Sequence, residues 1–468
     1  MNDTEDFRKI PCDLMVEFFP DQHQHLQFEC ENTKCFYATT DRQKLFNHQQ
    51  SCRSKTLIKC KQVVYAQPDR SIRQLLEQEG IIPDSTWHNW HFCTFDIECF
   101  LEEIIDEMNQ PKKVYRLVSI ALKSSFGDEE ESNIYIEREN MDPFELKTMM
   151  QKLLSSLTFL REDMLNYIPE SVIKGQKEYQ KLVSDKEFKK LPVEEQRIGR
   201  EKLRYLNDCL KLRIYSWNGE RYDNNVVWAP FMDMLQYNSD AFSKIHIIRR
   251  GTGIMEFTYG TFCFRDFLNF STPMTLEKFA ASQFSNDKTK EIQKTTFPYE
   301  LYSDISELKT IREFPGYPHF ISSLCVGDKK YKNELIKICN SQFEAENWKS
   351  EEDIQSFFQF SRELKFIFGN GRLIDVVTTD DSDITSVLHT CPVKYFKSKE
   401  IFDNRCENMS DYLRLYNLND VILLADCIKI YAEGYFNSWN VNIHQKMSLP
   451  GVSQGKIIQF SKFYISRK

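Results

Sequence analysis

No stretch of this 468-residue chain is apolar for long enough to span a bilayer, so no membrane partner is expected. The first residues, Met1-Asn2-Asp3-Thr4-Glu5-Asp6, lack the basic and apolar segments of a secretory signal. An excess of positive charge is also missing. Sixty-one Lys and Arg stand against 69 Asp and Glu, a net charge of -8, which argues against a general nucleic-acid coat. It leaves room for a nuclease whose groove is locally basic. The 14 cysteines are scattered through apolar segments and not arranged as a small secreted framework, apart from one cluster. These absences together predict an intracellular protein in a reducing compartment, nuclear or cytoplasmic.

What is present is a composition able to fill a core, 41% hydrophobic and 13% aromatic with 36 Phe. The length suits one large domain with attachments, or two to three domains. The most informative stretch is Thr94-Phe95-Asp96-Ile97-Glu98-Cys99-Phe100. In a strand, alternate side chains share a face, so Asp96 and Glu98 project together while Phe95, Ile97 and Cys99 enter a core. Two carboxylates on one face repel each other unless a cation lies between them. An isolated D-x-E on an edge strand is more often a pair of solvated acids. The residues that follow give this one weight.

Upstream, Cys30, Cys35, His48 and Cys52 form a C-x4-C-x12-H-x3-C pattern. A turn with two thiolates, followed by a helical turn with ligands at i and i+4, suits one tetrahedral Zn²⁺. Phe28, Phe36 and Leu45 could pack under such a metal, and Cys60 and His25 are substitute ligands. Arg42, Lys44, Arg53, Lys55, Lys59 and Lys61 lean towards a phosphate partner. The finger could bind DNA or a protein.

Downstream, Val114–Leu122 and Asn133–Glu137 read as strands that continue a meander from the Asp96 strand. Asp142-Pro143 opens a helix, with Asp142 as N-cap and Glu145 completing a capping box. Residues 176–210 read as a charged helical insertion, and 323–399 as a second insertion without evident chemistry. Leu212–Trp217 predicts a strand that runs into Asn218-Gly219-Glu220-Arg221-Tyr222-Asp223. Asp223 falls in the first turn of a helix beyond the strand's C-terminal end, where open α/β sheets keep their chemistry. A capping role is the plain alternative. Ile245–Ile248 and Met255–Tyr259 predict a hairpin, and Thr261–Asp266 a further strand. Ser410–Asp426 predicts an amphipathic helix on which Tyr416 and Asp420, four apart, share a face.

Converged, Asp96, Glu98, Asp223 and Asp420 could hold two Mg²⁺ (or Mn²⁺) ions about 3.5–4 Å apart, with Tyr416 aiming a water. The expected chemistry is stepwise hydrolysis at a 3′ end. The segments Thr94–Glu98, Asn218–Asp223 and Tyr416–Asp420 resemble, in order, the three exonuclease motifs of family B DNA polymerases. The likeness is to the protein-primed branch found in phages, linear plasmids, adenovirus-like elements and Maverick/Polinton transposons. Thr275–Phe279, Lys294–Tyr299, Phe314–Phe320 and Ser448–Val452 extend it. The resemblance implies an RNase H-like 3′–5′ exonuclease domain of α/β class, a mixed sheet flanked by helices, behind the small zinc-finger-like unit. It also implies metal binding by the four acids and contacts to single-stranded 3′ ends from Asn218, Thr275, Leu276 and Lys294.

Two departures stand out. Trp217 occupies the position where the family has His, and no Y-x-D-T-D palm motif exists. The expected activity is therefore proofreading-type exonuclease without DNA-directed polymerase activity, in a chain that is truncated, split or domesticated. A separate polymerase chain or a terminal protein would be further partners. The expected layout is an N-terminal region 1–62 with the finger at 26–56, a connector 63–90, the exonuclease domain 91–435, and a C-terminal segment 436–468 resembling the start of the polymerase region. The competing readings are a non-catalytic DNA- or protein-binding module and a subunit completing a polymerase supplied by another chain.

Overall fold

The computed structural model describes residues 28–29 and 38–39, and then 71–450 apart from 85–86, 106–110, 130, 236–243, 285–294, 321–329, 347–351, 353, 355–363, 379–391, 440 and 447. The chain divides into two units, 1–71 and 72–468. In the first, β1 (Phe28–Glu29) pairs antiparallel with β2 (Ala38–Thr39). The four expected zinc ligands, Cys30, Cys35, His48 and Cys52, lie outside the described residues.

The second unit begins with α1 (Ile72–Gln78), whose Leu76 is buried. Arg73 ties this segment down, donating to Glu77, Tyr205 and the Trp87 carbonyl. Residues expected to form a connector therefore pack as part of this unit.

Next come β3 (Phe92–Ile105), β4 (Pro111–Ser124) and β5 (Asn133–Glu137), the expected antiparallel meander. Then follow α2 (Pro143–Asn166), α3 (Glu170–Ser184) and α4 (Val193–Cys209). Asp142 caps α2, its Oδ1 accepting from the Phe144 N–H at 2.7 Å. The helical region thus starts well before residue 176 and consists of three helices.

The chain continues through β6 (Leu212–Ser216), α5 (Asp223–Leu235), the hairpin β7 (Ile245–Arg250) and β8 (Gly253–Tyr259), and β9 (Phe262–Asp266). The seven strands form one mixed sheet in the order β5-β4-β3-β6-β9-β8-β7. Its centre is parallel, β3 on β6 and β6 on β9, and both flanks are antiparallel.

Helices cover both faces. One face packs Phe95, Ile97 and Cys99 of β3 with Met150, Leu153 and Leu157 of α2 and Phe231 of α5. The other meets α6 (Leu276–Gln283), α7 (Ile305–Thr310) and the 31-residue α10 (Met409–Trp439) through Phe92, Phe100, Val118 and Tyr215. Burial of a large apolar side chain is worth about 1.5–3 kcal/mol. A one-residue slip of β3 would exchange Phe95 and Ile97 for Asp96 and Glu98 in the first core, so the register is fixed.

Between α7 and α10, helix α8 (Lys330–Glu346), the hairpin β10 (Leu364–Gly369) with β11 (Arg372–Thr378), and helix α9 (Pro392–Arg405) share a separate small core that includes Leu335, Phe366, Val376 and Tyr395. Among the described residues, no helix is long and apolar enough to cross a membrane.

Candidate metal centre

Strand β3 carries Asp96 and Glu98 on the face opposite Phe95, Ile97 and Cys99. Helix α10 crosses that face and brings Asp420. Carboxylate oxygens of Asp96, Glu98 and Asp420 all lie within 4.8 Å of one another. Glu98 is 5% and Asp420 4% exposed, and Asp96 is half-buried. Two unit charges at that separation repel by about 3.5 kcal/mol at an effective dielectric constant of about 20. Three carboxylates in this arrangement suit a hard divalent cation.

Two hydrogen bonds hold α10 against the sheet beside these acids. The Thr94 hydroxyl donates to the Val421 carbonyl at 2.8 Å. Asn417 Nδ2 donates to the Ser119 hydroxyl at 2.9 Å, and both residues are fully buried. Ser119 pairs with Glu98 across the β3–β4 ladder, where a bulge follows immediately. The helix is thus pinned one turn before Asp420 and at the residue after it.

Tyr416 lies one turn before Asp420 and is 6% exposed. Its ring meets Phe297 at 6.0 Å and Tyr412 at 6.5 Å. Its ring also meets that of Tyr299 at 6.2 Å, and the Tyr299 hydroxyl is pushed well up by burial and then by the charge of Glu98, with Asp420 adding to it. Tyr299 therefore stays protonated beside two of the acids. The sequence singles out its stretch by resemblance, but nothing local marks the tyrosine itself.

Asp223 opens α5 and is 3% exposed, but it stands outside the 4.8 Å group. It is close enough to act with Glu98 on Tyr222, whose hydroxyl is pushed up chiefly by burial and also by hydrogen bonding to Cys99. The Cys99 thiol is likewise pushed up by burial, with Glu98, Asp223 and Asp96 adding to it. Four acids thus gather at one end of the sheet, three of them tightly.

The turn before Asp223 is elaborately held. Asn218 is left-handed, at φ 66°. Asp266, from the end of β9, accepts from the Glu220 N–H at 3.1 Å and the Leu268 N–H at 2.8 Å. Burial pushes the Asp266 carboxyl up, against the pull of these backbone donors and that of Asn218. The Glu220 carboxylate is gripped by Arg250, through Nε at 2.9 Å and through Nη2. Neither Asp266 nor Glu220 is marked in the sequence, because each matters only through strands that tertiary folding makes adjacent.

Of the expected nucleic-acid contacts, Thr275 is exposed and caps α6, accepting from the Lys278 N–H at 3.3 Å. Leu276 is 6% exposed and packs in the core with Phe279. Trp217 also lies against Phe279, their ring centroids 5.0 Å apart. Lys294 lies outside the described residues. Comparison with protein-family models, curated proteins and solved structures finds no match to this chain.

Proposed function

We propose that this protein is a metal-dependent 3′–5′ exonuclease module of RNase H-like fold, acting on DNA and related to protein-primed family B DNA polymerases. The observation that carries the reading is the meeting of Asp96 and Glu98 with Asp420, more than 300 residues later in the chain, within 4.8 Å. The mixed sheet with helices on both faces is compatible with that fold. The order of the three motifs along the chain supports the polymerase relationship.

The donor set fits Mg²⁺ or Mn²⁺, because every ligand is a carboxylate oxygen. Asp96, Glu98 and Asp420 would hold the metal, and Asp223 would complete a second site. Bound divalent cations supply a water acidic enough to attack a phosphodiester and neutralise the leaving oxygen. Tyr416, in this reading, orients the attacking water, and the Tyr299 ring packed edge-on against it helps fix its position. Asn218, Thr275 and Lys294 contact the single-stranded 3′ end. The N-terminal Cys30, Cys35, His48 and Cys52 bind one Zn²⁺.

A second reading, a nucleic-acid-binding module without hydrolysis, has one observation on its side: Asp223 stands apart from the other three acids. The two separate in one assay. A 5′-labelled single-stranded oligonucleotide is incubated with Mg²⁺ and either the parent or the Asp96→Asn, Glu98→Gln double variant. A ladder of shortened products from the parent alone supports the exonuclease. Bound but intact DNA with both proteins supports the binding module.

A further inference from the structure

We propose that the β7–β8 hairpin is a strut that positions Asp223, acting through the Glu220–Arg250 ion pair. The inference rests on the reading of Asp223 as a metal ligand. The hairpin holds the chain on both sides of that residue. Before it, the Glu220 carbonyl accepts from the Ile254 N–H at 3.0 Å and from Asn225 Nδ2 at 2.8 Å. After it, Asn224 Nδ2 donates to the Ile254 carbonyl at 2.9 Å. One hairpin residue, Ile254, is therefore bonded to both neighbours of the Asp223 turn.

The side chains reinforce this. The Glu220 carboxylate is 7% exposed, whereas the Arg250 side chain is 64% exposed. The guanidinium is nonetheless fixed at two points, because Arg250 Nη2 also donates to Asn269 Oδ1 at 2.9 Å. The approach leaves no room for a side chain at Gly253: a β-carbon there would stand 2.9 Å from the Glu220 carbonyl oxygen and 2.7 Å from its Cγ. A hairpin that served only to close the sheet edge would need neither the buried carboxylate nor this contact. Groups that orient metal ligands from behind typically cost 10–100-fold in metal affinity or activity when removed.

The test uses the full chain and Mn²⁺, with binding followed by electron paramagnetic resonance and folding by thermal unfolding in chelator. The variants are Arg250→Gln, Glu220→Gln with Arg250→Gln, and Gly253→Ala, each with and without Asp223→Asn. Arg250→Gln alters the exposed partner, and Gly253→Ala disturbs the contact without changing a charge. The expected result is an about tenfold weaker Mn²⁺ affinity in each strut variant, with little further loss when Asp223→Asn is added, because both changes act through one ligand. Unaltered affinity in folded strut variants overturns the strut, as do losses that simply add to that of Asp223→Asn. Parent protein whose Mn²⁺ binding is absent, or is insensitive to Asp96→Asn with Glu98→Gln, overturns instead the reading of the acid site on which the strut rests.

Discussion

Neutralising Asp96 should make the protein more stable without metal and less responsive to metal. Asp96→Asn keeps the shape of the side chain and removes two repulsions, with Glu98 and with Asp420, each acting over 4.8 Å or less. At an effective dielectric constant of about 20, each amounts to about 3.5 kcal/mol. Solvent reaches the half-buried Asp96 and screens both, leaving a gain on the order of 1–3 kcal/mol. For a unit of roughly 400 residues, unfolding entropy of about 2.1 cal/mol/K per residue converts this to a rise of roughly 1–4 °C in chelator. Divalent metal reverses the order. At a concentration 100 times the dissociation constant, binding to the parent contributes about 2.7 kcal/mol, or roughly 3 °C. The variant should lose most of that increment. Differential scanning fluorimetry in EDTA and across a Mg²⁺ titration measures both terms. If Asp96→Asn melts below the parent in EDTA and gains as much from Mg²⁺, the acids are not a strained cation site and the reasoning fails.

Four further expectations follow from particular contacts. Tyr416→Phe should slow turnover about tenfold or more and leave Mn²⁺ affinity unchanged; weakened metal binding would make its role structural. Asn417→Leu strands the buried Ser119 hydroxyl and should cost about 1–3 kcal/mol in urea unfolding, whereas an unchanged midpoint would show the Asn417–Ser119 bond to be dispensable. Two histidines tie stability to pH: burial, with Arg213 and Arg265 adding, holds His444 far below its usual range, and burial with Arg73 holds His88 at about 4. Both are neutral in the fold and gain a proton on unfolding, so stability is complete above about pH 6.5 and falls as pH drops towards 4; a melting temperature flat between pH 7 and 5 would contradict this. Cys30→Ser should release one zinc per chain by metal analysis, and parent protein without zinc would end the finger assignment.

Much of the local structure was legible in the chain. The alternation of β3 separated Phe95, Ile97 and Cys99 from Asp96 and Glu98, and the structure keeps that separation across the sheet. The cap at Asp142 and the β7–β8 hairpin could be read from residue type and spacing. These features depend on side-chain periodicity and turn chemistry, which act over a few residues. The extent of the helical region was less legible, since solvated charged faces in α3 and α4 leave weak edges in the pattern. The stretch holding α8, β10, β11 and α9 was legible only as an insertion; that it packs a small core of its own, with Leu335, Phe366, Val376 and Tyr395 brought together, depends on contacts between its elements that no local pattern contains.

By itself, then, the sequence determined which residues could carry chemistry and on which face of its own element each would lie. Only the tertiary structure decided which of them meet. The order β5-β4-β3-β6-β9-β8-β7 sets β9 beside β6, and so places Asp266 under the turn that precedes Asp223. The packing of α10 across β3 and β4, pinned by Thr94 and Asn417, puts Asp420 against Asp96 and Glu98 and leaves Asp223 outside that group. Such pairings join segments up to some 330 residues apart. They follow from how the sheet and helices bury their apolar faces together, a property of the whole fold that no local pattern contains.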